Sequence, residues 1–332
     1  MKKKSGLLFI VLIFSMVIFA SCNSNSEKPN KESETVNTET SNLGGEEKLG
    51  SEETENITMT IKHELGEVEI QKNPEKVIVF DYATLDSLDA MGVEIIGLPK
   101  SNIPAFLEKF ADTQYADVGT LFEPNFEKIY ELKPDVIFIS GRQAEVYEEL
   151  AKIAPTIYLT VDGADYMNQF MENVSLLGEI FGKEEFVANE LAELTGEIQK
   201  LKEAVMATGE NALVVMANDG SISAHGDKSR FAIIHGDFGF PPVDPNIEVS
   251  KHGQSISFEY IVEKNPDYLF VVDRAAIAGG SVSAEQIFDN ELMKQTKVYQ
   301  EDRIIYLNSQ VWYVASGGLT GTKIMIEDMK IK

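Results

Sequence analysis

Phe126–Arg142, FEKIYELKPDVIFISGR, returns 132 positions later as Phe258–Arg274, FEYIVEKNPDYLFVVDR, with eight of the seventeen positions identical. Each copy reads as a short helix, a Pro-Asp break and an unbroken apolar run, with arginine where the run leaves the core. A run that is apolar at every position belongs to a strand buried on both faces, as in a parallel sheet covered by helices. Ligands of open α/β sheets collect beyond the carboxyl ends of such strands. The duplication therefore predicts one α/β lobe built twice, each with a guanidinium at its binding edge.

Outward from the repeat, Val77-Ile78-Val79-Phe80 is another buried-strand run, ended by Asp81-Tyr82. Val93 to Leu98 and Thr156 to Leu159 read as further strands of a small parallel sheet. From Lys183 to about Ala207 the composition is strongly helix-forming, with Phe186, Leu191, Leu194, Ile198, Leu201 and Val205 on one face. A strand pattern restarts at Ala212 to Met216, passes through the second repeat and Ile304 to Leu307, and gives way to a last helix near Thr320. The expected fold is α/β: two Rossmann-like lobes with parallel sheets, over residues 57–182 and 209–332, joined by a single long helix over 183–208, with a ligand cleft between them. One stiff linker implies a cleft that opens little.

A chain of 332 residues, 43% of them hydrophobic, has material for two cores. Its 54 acidic against 29 basic side chains give a net charge of -25, which excludes nucleic acid as a partner because phosphate binding needs a basic footprint. At the N-terminus Lys2, Lys3 and Lys4 precede an apolar run from Leu7 to Ala20, a secretory signal over residues 1–21. Phe19-Ala20-Ser21-Cys22 resembles a bacterial lipobox, in which the exposed thiol takes a diacylglycerol. Cys22 is the sole cysteine, so disulfides, iron–sulfur ligation and thiol catalysis have no residues to work with. Residues 22–56 are rich in Ser, Asn, Thr, Glu and Lys and read as a disordered acidic tether reaching roughly 30 Å.

Only four of the 29 basic residues are arginines, and Arg142, Arg230 and Arg274 fall in loops at the predicted binding edge. A planar guanidinium grips carboxylates or phenolates in bidentate fashion and keeps its charge at any relevant pH. An anion approaching so acidic a protein is repelled on average, so its capture needs positive potential focused in a cleft. Three charge-assisted contacts of about 2 kcal/mol each supply about half of the roughly 12 kcal/mol of nanomolar binding. Tyr82, Trp312 and Tyr313 are candidates for the rest. His252, in the loop before the second repeat helix, is a candidate to face the same cleft with Tyr313, the two supplying imidazole and phenolate to a ferric ion that a chelator leaves unsaturated. Asn125 and Ser257 read as helix N-caps, which puts Glu127 and Glu259 in first turns, where a carboxylate complements the helix dipole. The same pair also offers two acidic knobs for a two-fold partner with basic pockets. No G-x-S-x-G, H-E-x-x-H, P-loop or strand-borne G-x-G-x-x-G occurs, so the sequence reads as a binding protein without intrinsic cofactor.

The lipobox, the tether, the two lobes around one helix and the paired repeat resemble the substrate-binding lipoproteins of ABC importers with a rigid helical linker. Within that class VIVFDYATLDSLDAMG, YADVGTLFEPNFEKIYELKPDVIFISGRQ, VVMANDGSISAHGDKSRFAIIH and VWYVASGG resemble the binders of ferric catecholate siderophores such as petrobactin. The resemblance implies a monomer anchored by lipid to the outer face of the cell membrane, delivering an iron(III)-siderophore to a permease driven by a cytoplasmic ATPase. It implies that Arg142, Arg230 and Arg274 hold the anionic chelate, that His252 and Tyr313 reach iron when sites are free, and that Glu127 and Glu259 meet permease arginines. Two rivals stand beside it: a lipoprotein binding bare zinc or manganese through His225 and His235, and a cell-surface hydrolase.

Overall fold

The computed structural model describes residues 57–161, 163–250 and 252–330. The signal segment, Cys22 and the tether lie outside the described residues.

The chain enters through a hairpin, β1 (Thr58–His63) and β2 (Gly66–Gln71), whose strict alternation turns Ile61 and Ile70 into the core. The first lobe is a five-stranded sheet of β3 (Val77–Val79), β4 (Gly97–Leu98), β5 (Ala116–Asp117), β6 (Val136–Ile139) and β7 (Thr156–Tyr158). All its pairings are parallel, in the order β5-β4-β3-β6-β7. The order reverses between β3 and β6, and the segments that leave these two strands carry Asp81 and Arg142. β3 and β6 are buried at every position, as the apolar runs require.

The second lobe repeats this plan with one change. Its strands are β8 (Ala212–Asn218), β9 (Ser221–His225), β10 (Gln254–Ile256), β11 (Tyr268–Asp273) and β12 (Ile304–Tyr306), in the order β10-β9-β8-β11-β12. β8, β11 and β12 are parallel, whereas β9 and β10 run antiparallel. The expectation of a wholly parallel second sheet is corrected here, and Asp219-Gly220 is the reason. Both residues sit at positive φ, 51° and 89°, the twist that a two-residue hairpin needs and that Asp-Gly adopts readily. The strand therefore folds straight back, and the hairpin delivers Arg230 just past its second arm.

A helix of 25 residues, Glu184–Thr208, joins the lobes and spans about 37 Å. Gly182 (φ 61°) ends the helix before it, Tyr166–Phe181, and Gly209 (φ 69°) ends the linker itself. Val187, Leu194, Ile198, Leu201 and Val205 are buried along it, with Phe186 and Leu191 packed at the margin of the stripe. These side chains belong to one apolar cluster that runs from Val77, Val79 and Phe138 of the first sheet to Val214, Phe270 and Val272 of the second. The last helix, Leu319–Asp328, continues it. Its N-terminus docks on the first-lobe helix Tyr82–Ala90, where the buried Asp86 carboxylate accepts from Gly321 N at 2.7 Å and Ser87 Oγ from Leu319 N at 3.3 Å. Gly318 makes the approach possible, because a Cβ there would lie 2.3 Å from Asp86 Oδ2 and 2.8 Å from the Ala83 carbonyl. Among the described residues no helix is long and apolar enough to cross a membrane.

Candidate functional site

A cavity of about 810 Å³ lies where the carboxyl ends of the two sheets face each other. Arg142, Arg230, Arg274, Tyr313, His252 and Asp81 are among its lining residues.

Tyr313 is the hub. It sits on the short helix Ser309–Val314, which Asn308 caps by accepting from Val311 N at 3.3 Å. Asp328 holds that helix in place, accepting from Asn308 N at 2.9 Å and from Trp312 Nε1 at 2.8 Å. The Trp312 ring thus turns inward against Phe231 and Phe238, and the next residue, a hundred degrees further round, faces the cleft. Arg142 of the first lobe and Arg230 of the second each donate to the Tyr313 carbonyl at 3.0 Å. Arg274 donates through Nε to the Tyr313 hydroxyl and through Nη1 to Asn218 Oδ1, both at 2.8 Å. Arg230 also stacks on the Tyr313 ring at 4.7 Å and on Phe231 at 5.3 Å.

Three cations are therefore brought to one residue with no carboxylate paired to any of them, among the described residues. The contrast is Arg303, which bonds Glu210 at 2.6 Å and Glu301 at 3.1 Å. Asp273, next to Arg274 in the chain, is committed elsewhere: it caps the helix Arg274–Ala278 through Ala276 N and accepts from Ala284 N at 2.8 Å. Burial, and then the neighbouring Arg142 charge, lowers the pKa of the Arg230 guanidinium. Such a cluster is held short of counter-charge, and an anion with several oxygens supplies it. Asp81 caps the helix Tyr82–Ala90 through Thr84 N and Oγ1 at 2.9 and 3.0 Å. Burial pushes its carboxyl up, and the bond from Thr84 N and the Arg142 charge oppose that.

Two expected aromatic contacts are corrected. Tyr82 is 1% exposed and donates its hydroxyl to the Pro99 and Ser101 carbonyls, inside the first lobe. Trp312 is equally buried, in the core of the second. Neither lines the cavity. His252 does, from the turn before β10, and is exposed. Glu127 and Glu259 are exposed in the first turns of their helices, away from the cavity lining. Asn125 is the cap expected, accepting from Lys128 N at 3.0 Å, whereas the Ser257 side chain makes no cap bond. The Glu259 carboxyl is instead held below its usual range by its own backbone N–H and the Ser257 side chain.

His225 and His235 do not make a metal pair. His225 is buried edge-on to Phe231, shares a bond with Ser223 Oγ at 3.3 Å, and is held neutral with its pKa lowered to about 4 by burial, then by the Arg230 and His252 charges. His235 is tied through Nδ1 to the Phe240 carbonyl at 2.8 Å. Among the described residues no group of three or more His, Cys, Asp or Glu side chains is placed to hold a metal ion. The sequence reading missed Lys228, Asn173, Phe122 and Val249, which also line the cavity. Asn173 lies within the helix Tyr166–Phe181 and the other three are exposed loop residues, so none carries a repeat signal and all become legible only once the lobes face each other.

Two similar lobes, one shared core and a cation-lined cleft between them define a solute receptor rather than an enzyme, and the chain belongs to the periplasmic binding protein family, whose profile matches residues 77–311. It is 44% identical over 332 residues, 99% of this chain and 98% of the relative, to the petrobactin-binding protein YclQ of Bacillus subtilis. The crystal structure of that protein superposes with a TM-score of 0.81 at 47% identity, covering 82% of this chain and 97% of the other. The periplasmic catecholate-siderophore binding protein VctP of Vibrio cholerae superposes with a TM-score of 0.78 at 36% identity, covering 82% and 99%.

Proposed function

We propose that this chain captures an iron(III)-siderophore of catecholate type, petrobactin-like, and hands it to the permease of an ABC importer. The observation that carries the reading is the meeting of Arg142, Arg230 and Arg274 at Tyr313, two lobes contributing cations that form no ion pair with a carboxylate among the described residues. A ferric catecholate is a preformed anion with its charge spread over aryl oxygens. Guanidiniums compensate that charge through bidentate bonds, while the iron, as cargo, stays on its chelator. His252 and Tyr313 both face the cavity and are the side chains that would complete the iron's coordination if the chelator left sites free. The relatives named for petrobactin and for catecholate siderophores support the ligand class.

Lipid attachment at Cys22, a monomeric receptor domain over residues 57–332 made of two lobes and the linker at 183–208, and an ATPase on the cytoplasmic side complete the reading. Exposed glutamates at matching first turns, Glu127 and Glu259, suit a pseudo-two-fold partner with basic pockets. Calorimetric titration of the purified chain with ferric petrobactin, a ferric tris-catecholate and ferric citrate tests the ligand. Tight binding of the first two is expected, and tight binding of a bare divalent ion instead would overturn the reading. Reversing charge with Glu127→Lys and Glu259→Lys together is expected to stop uptake by cells with affinity unchanged. A loss of affinity would remove these residues from docking.

A further inference from the structure

Phe122 is 72% exposed, yet it lines the cavity, and the turn that carries it is fixed by hydrogen bonds. Thr120 Oγ1 accepts from Phe122 N at 3.2 Å and from Glu123 N at 2.9 Å, and Thr120 N donates to the Glu123 carbonyl at 3.0 Å. Gly119 (φ 108°) pairs with Pro124 across the base of this turn, and a Cβ on it would stand 2.4 Å from the Glu123 carbonyl. Leu121, the neighbour, points the other way and is buried. Its carbonyl accepts from Gln143 Nε2, and Gln143 Oε1 accepts from Ser140 N at 3.1 Å. Gln143 is itself 1% exposed and adjoins Arg142 in the chain. One buried amide therefore fastens the Phe122 turn to the loop that carries a cleft arginine.

A locked turn that holds an aromatic ring out into water stabilises nothing in the free protein; the same turn with the ring folded inward would remove that area from solvent. The arrangement has a use when something apolar arrives. Across the cleft the second lobe offers Val249, 63% exposed, and the exposed Lys228 to the same cavity. A ligand with anionic oxygens on an aromatic ring is served by both features at once, its oxygens by guanidinium and its ring face by phenyl. A chelate built from aliphatic hydroxycarboxylate has only the oxygens.

We propose that Phe122 is a specificity-determining contact, an aromatic ledge fixed in register with Arg142 by Gln143, against which an aryl ring of the ferric chelate packs. This rests on the function proposed above and names the residue that selects aryl chelates. The test is calorimetric titration of ferric petrobactin into the wild-type chain and into Phe122→Ala, Phe122→Leu and Phe122→Tyr, with uptake measured in cells carrying each form. Phe122→Ala is expected to weaken binding about tenfold and Phe122→Leu about fivefold, with Phe122→Tyr within about twofold of wild type, since only the last keeps a ring face. Thermal unfolding is expected to be unchanged, because the side chain is in solvent. Wild-type affinity in Phe122→Ala, or full affinity in Phe122→Leu, overturns the ledge while leaving the receptor function intact. Unchanged affinity with lost uptake overturns it in favour of a permease contact. Failure of the wild-type chain to bind ferric petrobactin overturns the ledge and the receptor reading together.

Discussion

The two copies of the repeat end on arginines that do different work. In the first, β6 gives way to Ser140-Gly141, and Arg142 reaches across the cleft to the Tyr313 carbonyl of the opposite lobe. In the second, β11 runs on through Asp273, which caps a helix beginning at Arg274, and that side chain stays within its own lobe on Asn218 and the Tyr313 hydroxyl. The antiparallel hairpin β8–β9 then gives the second lobe a further cation, Arg230, that the first lobe lacks. Duplication thus supplied a symmetric frame, and a two-residue turn at Asp219-Gly220 made the site one-sided. The lesson is that pseudo-symmetry of the scaffold and asymmetry of the ligand are reconciled in loops and edges, which tolerate change that buried parallel strands do not.

Substitution of the arginines breaks or sharpens this contrast most strongly. Arg230→Ala is expected to weaken ferric petrobactin binding about a hundredfold, because a half-buried charge-assisted donor and its stacking on Tyr313 go together. Arg142→Ala is expected to follow closely and, unlike Arg274→Ala, to speed amide exchange across residues 309–316 in the ligand-free protein, since of these two arginines only Arg142 reaches across the cleft. Equal exchange in the two variants would mean the tie is not specific to the first copy.

The seam between lobes comes next. Gly318→Ala is expected to lower stability by about 2–3 kcal/mol in chemical denaturation, since the Asp86 carboxylate and the Ala83 carbonyl leave no room for a methyl. Burial pushes the Asp86 carboxyl up to about 6 from the ordinary 3.8. The folded state therefore holds a proton that the unfolded chain has lost across that window. Stability from this group rises as pH falls from about 6 toward 4 and is lost as pH climbs back through 6. Melting temperatures of wild type against Asp86→Asn, compared at pH 7 and pH 5, are expected to shift in favour of wild type at the lower pH. No change in the difference would show that Asp86 is not the group responsible.

The smallest effects separate the two repeat helices. Asn125→Ala is expected to cost about 1 kcal/mol, the value of a side-chain cap, and Ser257→Ala a few tenths, because only the first makes the bond. Equal losses would restore the symmetry that the geometry denies.

Much of this molecule is legible in the chain. Unbroken apolar runs announce β3, β6, β8 and β11, and scarce arginines placed after them announce the cleft. The Val93 to Leu98 run shortens to the two residues of β4, and β5, also of two residues, carries too little pattern to read. The misplacement of Tyr82 and Trp312 has a simple cause. Each adjoins a cleft residue, Asp81 or Tyr313, and one step along a cap or helix turns a side chain from the cleft to the core, so proximity in sequence says nothing about direction. What Asp219-Gly220 does to strand direction depends on two backbone angles that the apolar pattern does not carry.

The apolar cluster that crosses from one sheet to the other through the linker and the last helix bears on how a loaded receptor is told from an empty one. Swinging the lobes apart would strip that cluster, so on the proposed function occupancy would change the shape of the molecule little. On the function proposed above, a transporter would read cargo from the side chains at the rim of the cleft and from the cargo itself.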